Sequence, residues 1–501
     1  MANTQKGEKL TTSRAVEEFK HIFAGRTPDE RYQIAHIKRF MERLVADPKF
    51  REKLKENADN PKVVAEEYGI DIDPDQMRSI WQREYLKYRK SDKAHQWPLA
   101  VAWDEHLARM IAHRDLIRDS GATDKVNPRF HAWRERQISR CASEVGDSAG
   151  AIVHPIVAYE LSDGCSMGCW FCGISADKFK GYYPYTPENA ELWRGVVQVM
   201  ADMFGPAAQT GFCYWATDPA DNPDYPKFIE DHFQLTGALP QTTTAAPQKN
   251  VAWTREMLAV QKKHPTIINR FSILSLKILD QVHAEFSAED LLEVELVTQN
   301  RDALGKKANA GRAHDRREKM RASGREDKKL NVSDGHATIA CVSGFLINML
   351  KQKVELVTPT MASEQWPLGY RVYEEAHFDS AADLRCILEG MIDRHMSESF
   401  PANVPITFRD DLEFTRTDDG FAIEACGLRY NCQHYPFSGR VGEMILDKCH
   451  TAGDVIGELV ADGEDLFLVG HLIQDLYDLG VLNDDPAAQG ITKQGIPIRA
   501  V

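Results

Sequence analysis

The chain has 501 residues, 43% of them hydrophobic and 27% charged, with a formal net charge of −14. At roughly 150 residues per domain this length suggests about three folding units, and the composition is that of a globular protein with a sizeable core. The acidic balance argues against a general nucleic-acid or anionic-membrane binder, no run reaches the roughly 18 apolar residues of a membrane helix, and 10 cysteines are too sparse for a disulfide scaffold.

The opening MANTQKGEKLTTSR is polar and lacks the apolar core of an export signal. A cytoplasmic location with reduced cysteines is therefore expected, and clustered cysteines then suggest metal or redox chemistry. Residues 12–145 read as mostly helical. Phe40, Leu44 and Val45 recur at helix spacing, and Phe50 and Leu54 follow after a break. Asp47-Pro48 supplies a capping residue and then proline at the first helical position. Gly69 and the stretch IDIDPD interrupt the pattern, and a second helical set follows with Trp97, Trp103 and Trp133 as packing anchors.

From Ile152 the pattern changes. AIVHPIVAYELSDGC is an apolar, β-branched run ending in a turn, and TGFCYWAT, TTTAAP, TIINRFSILSL, VELVTQ, ATIACVSGF and KVELVTP repeat the theme. Helix-length amphipathic segments such as Pro187 to Met203 separate several of them, which predicts a parallel α/β sheet or barrel. Arg301 to Lys329 carries 11 Lys/Arg against 5 Asp/Glu. It reads as an exposed helix or mobile insertion, or as a basic lid over an acidic substrate segment. A third unit begins near Asp411. LEFTRTDDGFAIEACGLRYNC predicts a hairpin with Asp419-Gly420 as its turn. Helices are predicted at Ser438–Cys449, Thr451–Ala461 and Leu466–Leu479, the last stopped by Gly480. The tail after Asn483 is rich in Gly, Pro and Ala and is expected to be loose.

The strongest signal is Cys165-Ser-Met-Gly-Cys169-Trp-Phe-Cys172, three thiols directly after a predicted strand. A short loop can wrap them round one centre, and thiolates are the natural ligands of iron–sulfur clusters. With no obvious fourth cysteine, one iron of a [4Fe-4S] cluster would stay open to a substrate or cofactor. The alternative is half of a zinc site. Such sites pair two C-x-x-C units or add histidines, but the nearest later cysteine is Cys213 and no histidine follows Cys172 at ligand spacing.

This C-x3-C-x2-C spacing, with an aromatic residue before the third cysteine, resembles that of radical S-adenosylmethionine (SAM) enzymes. The resemblance implies a partial (β/α)6 barrel, with Cys165, Cys169 and Cys172 holding a [4Fe-4S] cluster and SAM chelating its open iron. It implies a reductant such as flavodoxin or ferredoxin. Phe171 is expected to pack on the adenine. The Gly-Gly-Glu motif of that family is missing, and Thr217 and Asp218 in YWATDPADNPDY stand in its place, with a helix-capping turn as the alternative. Ser272, in RFSILSL, matches a position that often touches the SAM ribose or carboxylate, and could equally be an ordinary strand serine.

ELSDGCSMGCWFCG, YWATDPADNPDY, RFSILSL and ATIACVSGFLINML followed by WPLGYRVYEEAHF together resemble radical SAM peptide epimerases of the polytheonamide type, which mature ribosomal peptides. That likeness spans Pro155 to Ile392. DDGFAIEACG, TAGDVIGEL and LIQDLYDLGVL resemble a winged-helix-like element that captures a leader peptide on an open β edge. A winged-helix dimerisation module is the alternative. FMERLVADPKFREKLKENADNPKVVAEEYGIDI resembles the helical leader of nitrogen-fixation-type precursors, and a helical scaffold would give the same pattern. The implied organisation is α/β. Residues 1–145 form a helical leader-like unit, 146–405 the radical SAM barrel, 406–485 the winged-helix-like recognition unit and 486–501 a flexible tail. The implied partner is a ribosomal precursor peptide, with no nucleic acid and no membrane.

Inverting a Cα centre needs hydrogen removed from one face and returned on the other. A thiol suits the return, because its S–H bond is weak. Cys341 is the expected donor, since it lies in a strand-like run beside the small residues Ser343 and Gly344. A buried core cysteine is the alternative. Cys386, in LRCILEGMI, is expected to be core, and Cys213 lies near the SAM side. Cys426, Cys432 and Cys449 do not match the spacing of an auxiliary cluster. Two other functions stay open. One is radical thioether or carbon–carbon crosslinking of a precursor. The other is a leader-binding protein with a vestigial cluster.

Overall fold

The computed structural model describes residues 10–324, 331–333 and 337–484, and within them the chain is a mixed α/β protein. The N-terminal third is helical, as its periodicity predicts. Thr27 and Glu30 form a capping box that starts helix Pro28–Ala46. Asp47 then accepts the amides of Lys49 and Phe50 to start Pro48–Glu56. Phe40, Phe50, Leu54 and Trp97 close one core, which Ala288 and Leu292 of the next unit also enter. Trp103 only borders that core. Helix Pro128–Val145 gives Phe130 and Trp133 to the central core instead.

The central strands are β1 (Val157–Glu160), β2 (Ser162–Asp163), β3 (Gly181–Tyr182), β4 (Thr243–Thr244), β5 (Asn269–Ile273), β6 (Val294–Thr298), β7 (Gly344–Asn348), β8 (Lys353–Pro359) and β9 (Tyr370–His377). β7 runs parallel to β1, with Val157 opposite Phe345 and Glu160 opposite Asn348. β8 and β9 extend that sheet antiparallel. β4, β5 and β6 form a parallel sheet, with Arg270 opposite both Thr243 and Glu295. Parallel bridges from Ala158 to Phe212 and from Phe212 to Gln241 connect the two sheets. Helices such as Pro187–Phe204 and Tyr225–Thr236 lie between successive strands and pack over their outer face through Trp193, Met200 and Phe228. Among the described residues the strands pair as separate sheets, not as one closed ring.

The C-terminal unit is a three-stranded antiparallel sheet of β10 (Glu413–Thr417), β11 (Gly420–Ala425) and β12 (Leu428–Cys432). Helices Ser438–Leu446, Ala452–Ala461 and Leu466–Asp478 follow it. Its core, from Phe400 to Leu482, is its own. The first hairpin turn is Asp418-Asp419, one residue earlier than expected, and Gly420 already pairs with Thr417. A Cβ on Gly420 would meet the Cys432 carbonyl oxygen at 2.1 Å, so this glycine serves close strand approach.

Helix Pro128–Val145 joins the units through buried arginines. Arg134 donates to the His154 carbonyl at 2.9 Å. Arg136 lies 4.0 Å from the Tyr477 ring centroid. Arg140 donates to Glu144 at 2.5 Å, and Glu144 also takes Arg371 at 2.7 Å and the Thr360 hydroxyl at 2.8 Å. Burial opposes ionisation of Glu144, but Arg140, Arg371 and Arg409 hold its carboxyl at about 2. Among the described residues no helix is long and apolar enough to cross a membrane. The 486–501 tail and residues 325–329 of the basic segment lie outside the described residues.

Candidate functional site

β1 ends at Glu160 and leads into a loop that is tied off at its base. Ser162 pairs with Tyr182, Asp163 with Gly181, and Cys165 bridges to Lys178. Gly164 has φ +76°, and the Lys178 carbonyl oxygen lies 2.3 Å from where a Cβ would stand, so only glycine fits this neck. Cys165, Cys169 and Cys172 are half-buried within the loop and form no disulfide. The Met167 amide points at the Cys165 sulfur and the Ala176 amide at the Cys172 sulfur, each at 3.4 Å. Burial pushes the Cys165 thiol up to about 12 and Cys169 up to about 11. A bound cation must therefore displace the protons before these groups act as thiolates. Among the described residues no three His, Cys, Asp or Glu side chains stand close enough to hold a metal ion. The all-thiol donor set suits a multi-iron group, in which each sulfur takes its own corner, better than one zinc drawing its ligands into a single tetrahedron.

Asp221 fastens the loop from outside. Its fully buried carboxylate accepts the Ser166 amide at 2.8 Å, the Ser166 hydroxyl at 2.5 Å and the Lys249 ammonium at 2.7 Å. Asn222 adds donors to the carbonyls of Leu161 and Tyr183 at 3.1 and 2.9 Å. Asp218 opens the short helical turn Pro219–Asp221. It accepts from the Ala220 amide at 3.0 Å, the Thr244 hydroxyl at 2.7 Å and the Ala245 amide at 2.7 Å. Burial raises its pKa, and these three donors make it a holder of the turn. Thr217, half-buried, immediately precedes it. Phe171 meets Trp170 edge-to-face at 5.5 Å, and the Arg316 guanidinium lies 5.1 Å from the Trp170 ring centroid. Arg316 belongs to helix Gly311–Ala322, which lies within the basic segment. The Arg312 amide donates to the Cys172 carbonyl at 3.0 Å. A Cβ on Gly311 (φ +49°) would meet the Gly173 carbonyl oxygen at 2.3 Å. The basic helix thus begins directly against the cysteine loop.

A cavity of about 520 Å³ brings together Cys341, Arg270, Glu295, Tyr214, Trp215 and Gln241. Ile174, close behind Cys172 in the chain, lines the same space. Arg270 donates to Glu295 at 2.7 Å, Tyr214 to Gln241 at 2.5 Å, and Gln241 to Thr243 at 3.1 Å. Ser272 shares the β5 face of Arg270, one pleat further toward the C-terminal end of the strand. Burial pushes the Cys341 thiol up to about 12, against the opposing effect of Arg270.

Cys341 does not sit in a strand, as its apolar run suggested. β7 begins only at Gly344 (φ +153°), where a Cβ would meet the Ile156 carbonyl oxygen at 2.0 Å. The segment before it crosses the entry to β1, with the Ser343 amide donating to Pro155 at 3.1 Å. Cys341 precedes the entry of β7, Ile339 two residues earlier lies against Gly173 of the cysteine loop, and Cys341 itself packs beside Tyr214 and Trp215. Cys386, expected in the core, is exposed. Leu384, Leu388, Met391 and Ile392 form the buried stripe of its helix, and Cys386 lies off that stripe. Cys213 is buried in the central core and Cys432 in the C-terminal one, while Cys426 and Cys449 are exposed.

Sequence reasoning passed over Asp221, Lys249, Arg270 and Glu295. Arg270 and Glu295 had a signal, a lone charge inside an apolar strand run, which marks a face turned to a polar interior. Asp221 had none, because it lies in a segment with several acidic residues and no periodicity.

No family model matches the chain. It is 48% identical over 484 residues to the uncharacterized protein y4wI of Sinorhizobium fredii, an overlap of 96% of this chain and 94% of that protein. The chain belongs to the same family as that protein.

Proposed function

We propose that the chain is a radical SAM epimerase that converts L-residues to D-residues in a ribosomal precursor peptide. In this reading the connected parallel strands form a partial (β/α)6 barrel, and the C-terminal unit is a winged-helix-like recognition element. The observation that carries it is one cavity lined both by Ile174, at the end of the cysteine loop, and by the Cys341 thiol. A two-face hydrogen exchange needs both groups to reach one substrate carbon, and a shared cavity gives that carbon a place.

Cys165, Cys169 and Cys172 would hold a [4Fe-4S] cluster, with Asp221 and Ser166 keeping their loop in shape. Phe171, Thr217 and Ser272 would contact SAM, and Asp218 would act through the turn it holds. When bound, these cofactors supply a 5′-deoxyadenosyl radical that takes the Cα hydrogen from one face of a substrate residue. The Cys341 S–H bond then breaks, and its hydrogen atom joins the planar carbon from the opposite face. A flavodoxin- or ferredoxin-type donor would supply two electrons, one for the cleavage of SAM and one that, with a proton from water, returns the sulfur to the thiol. A thiol pushed up to about 12 stays protonated at neutral pH, so the hydrogen is present when needed. Arg270, paired with Glu295, lines the same wall.

The C-terminal unit supports the peptide part of the reading. Among the described residues its sheet ends in two edge strands, β10 and β12, to which an extended leader could add a strand. Phe467, on its last helix, is 82% exposed, as suits a protein-binding face.

The test is anaerobic reconstitution with iron and sulfide, followed by SAM and dithionite. A brown iron-loaded protein that releases 5′-deoxyadenosine is expected, and both properties should vanish in the Cys165→Ala/Cys169→Ala/Cys172→Ala variant. A colourless protein that forms no 5′-deoxyadenosine would leave only leader binding.

A further inference from the structure

Helix Pro98–Asp119 of the N-terminal unit turns Trp103, Leu107, Met110 and Ile111 toward the 520 Å³ cavity. These residues are spaced three, four or one apart, a single stripe of the helix. Trp103 and Met110 pack against the N-terminal core on one side, and the stripe borders the cavity on the other. Ile111 and Ile339, 51% and 49% exposed, line the cavity where it meets solvent. Volumes of roughly 300–1,000 Å³ are those of ligand-binding pockets, and an unfilled apolar void is destabilising.

The charges around this space are already paired. Arg270 bonds Glu295 at 2.7 Å, Lys38 bonds Glu42 at 2.5 Å and Arg114 bonds Asp115 at 3.2 Å. His106 and His113 also line it, and burial keeps both neutral. A charged guest would lose its water and meet no unpaired countercharge, only lone donors such as Trp215 Nε1. An apolar guest would lose nothing.

We infer that this chamber receives a large aliphatic or aromatic side chain of the peptide residue presented to Cys341, with helix Pro98–Asp119 as the selecting wall. This rests on the reading that Cys341 faces the substrate. It gives the N-terminal helices a part in choosing the residue to be altered, distinct from any leader mimicry.

The probes are blocked tripeptides with Leu, Ile, Phe, Ser or Asp between two glycines, added to the full-length protein without SAM. Alkylation of Cys341 by iodoacetamide, run at about pH 10 because burial raises this thiol and only its thiolate reacts, is followed by peptide mass spectrometry. The Leu, Ile and Phe probes should protect Cys341 at about tenfold lower concentration than Ser or Asp, the discrimination that burying one such side chain supplies. Met110→Trp, which pushes an indole into the chamber, should abolish that preference without lowering the melting midpoint. Ile111→Glu, on the exposed rim, should weaken protection by the apolar probes alone. Equal protection by all five probes, or by none, overturns the inference, as does a preference that survives Met110→Trp. D-residue formation is read separately. Its absence, in a protein that still protects Cys341 selectively, refutes the epimerase reading and supports the chamber.

Discussion

Asp221→Asn tests whether one carboxylate keeps the cysteine loop ready for iron. The carboxylate is fully buried and accepts from the Ser166 amide, the Ser166 hydroxyl and Lys249. Hydrogen bonds to a charged group contribute about 1.5–3 kcal/mol each. Lys249 is 50% exposed, so solvent screening reduces its share to under about 1 kcal/mol. Asparagine keeps one acceptor oxygen but turns an amide N–H₂ toward the other donors. It therefore forfeits one Ser166 bond and the charge assistance of the rest, about 2–4 kcal/mol in all. At 1.4 kcal/mol per factor of ten, the balance between held and released loop moves roughly 30- to 700-fold. The assay is iron per chain after anaerobic reconstitution and desalting, with 5′-deoxyadenosine formation alongside. Asp221→Asn should lose most of its iron, while Lys249→Met should keep it. An Asp221→Asn protein with full iron and unchanged 5′-deoxyadenosine formation would refute the clamp.

Cys341→Ala should keep its iron and still cleave SAM, yet lose D-residue formation by about a hundredfold or more, the scale expected for removing a positioned hydrogen-transfer group. Full D-residue yield in that variant would move the donor role elsewhere, though not to the exposed Cys386. Stability should also fall on mild acidification. Burial depresses His106 and His113 to about 4, so between about pH 6.5 and 4 the unfolded chain binds protons that the fold does not. Denaturant unfolding should show this loss between pH 7 and 4, and His106→Leu should flatten it. A wild-type stability constant over that window would contradict the buried, neutral state. Glu42, held at about 2 by Lys38 and His283 against burial, acts in a lower window. Its contribution is complete above about 4.5 and is lost as pH falls toward 2.

Local chemistry was legible in the sequence where one residue type decides a backbone event. Asp47-Pro48 announced a helix start, and the cap hydrogen bonds are present. Thr451 and Asp465 open helices that the periodicity had placed within a few residues. The cysteine spacing marked a short loop after a strand, and Cys165, Cys169 and Cys172 do share one loop after β1, while the contacts that tie its base were not legible. Gly420 was misread, since glycine serves both turns and close strand approach, and only the neighbouring Cys432 carbonyl decides between them. Cys386 was misread because LRCILEGMI is apolar on more than one helix face, and the buried side is chosen by what packs against it. The largest omission was long-range. The Arg140–Glu144–Arg371 network joins residues more than 200 positions apart, and no local pattern predicts such a pairing. The chamber wall was hidden for the same reason, since a helix stripe that faces a cavity has the same spacing as one that faces a core.

The most direct test of the central claim, that sulfur returns hydrogen from the far side, is turnover of the precursor peptide in heavy water. The Cys341 thiol exchanges with solvent, so each altered residue should gain a single deuterium. In ordinary water the mass should not change, although D-residues appear after hydrolysis and chiral analysis. A product that has lost two hydrogens or gained a methyl group, or D-residues that carry no solvent deuterium, would contradict the account.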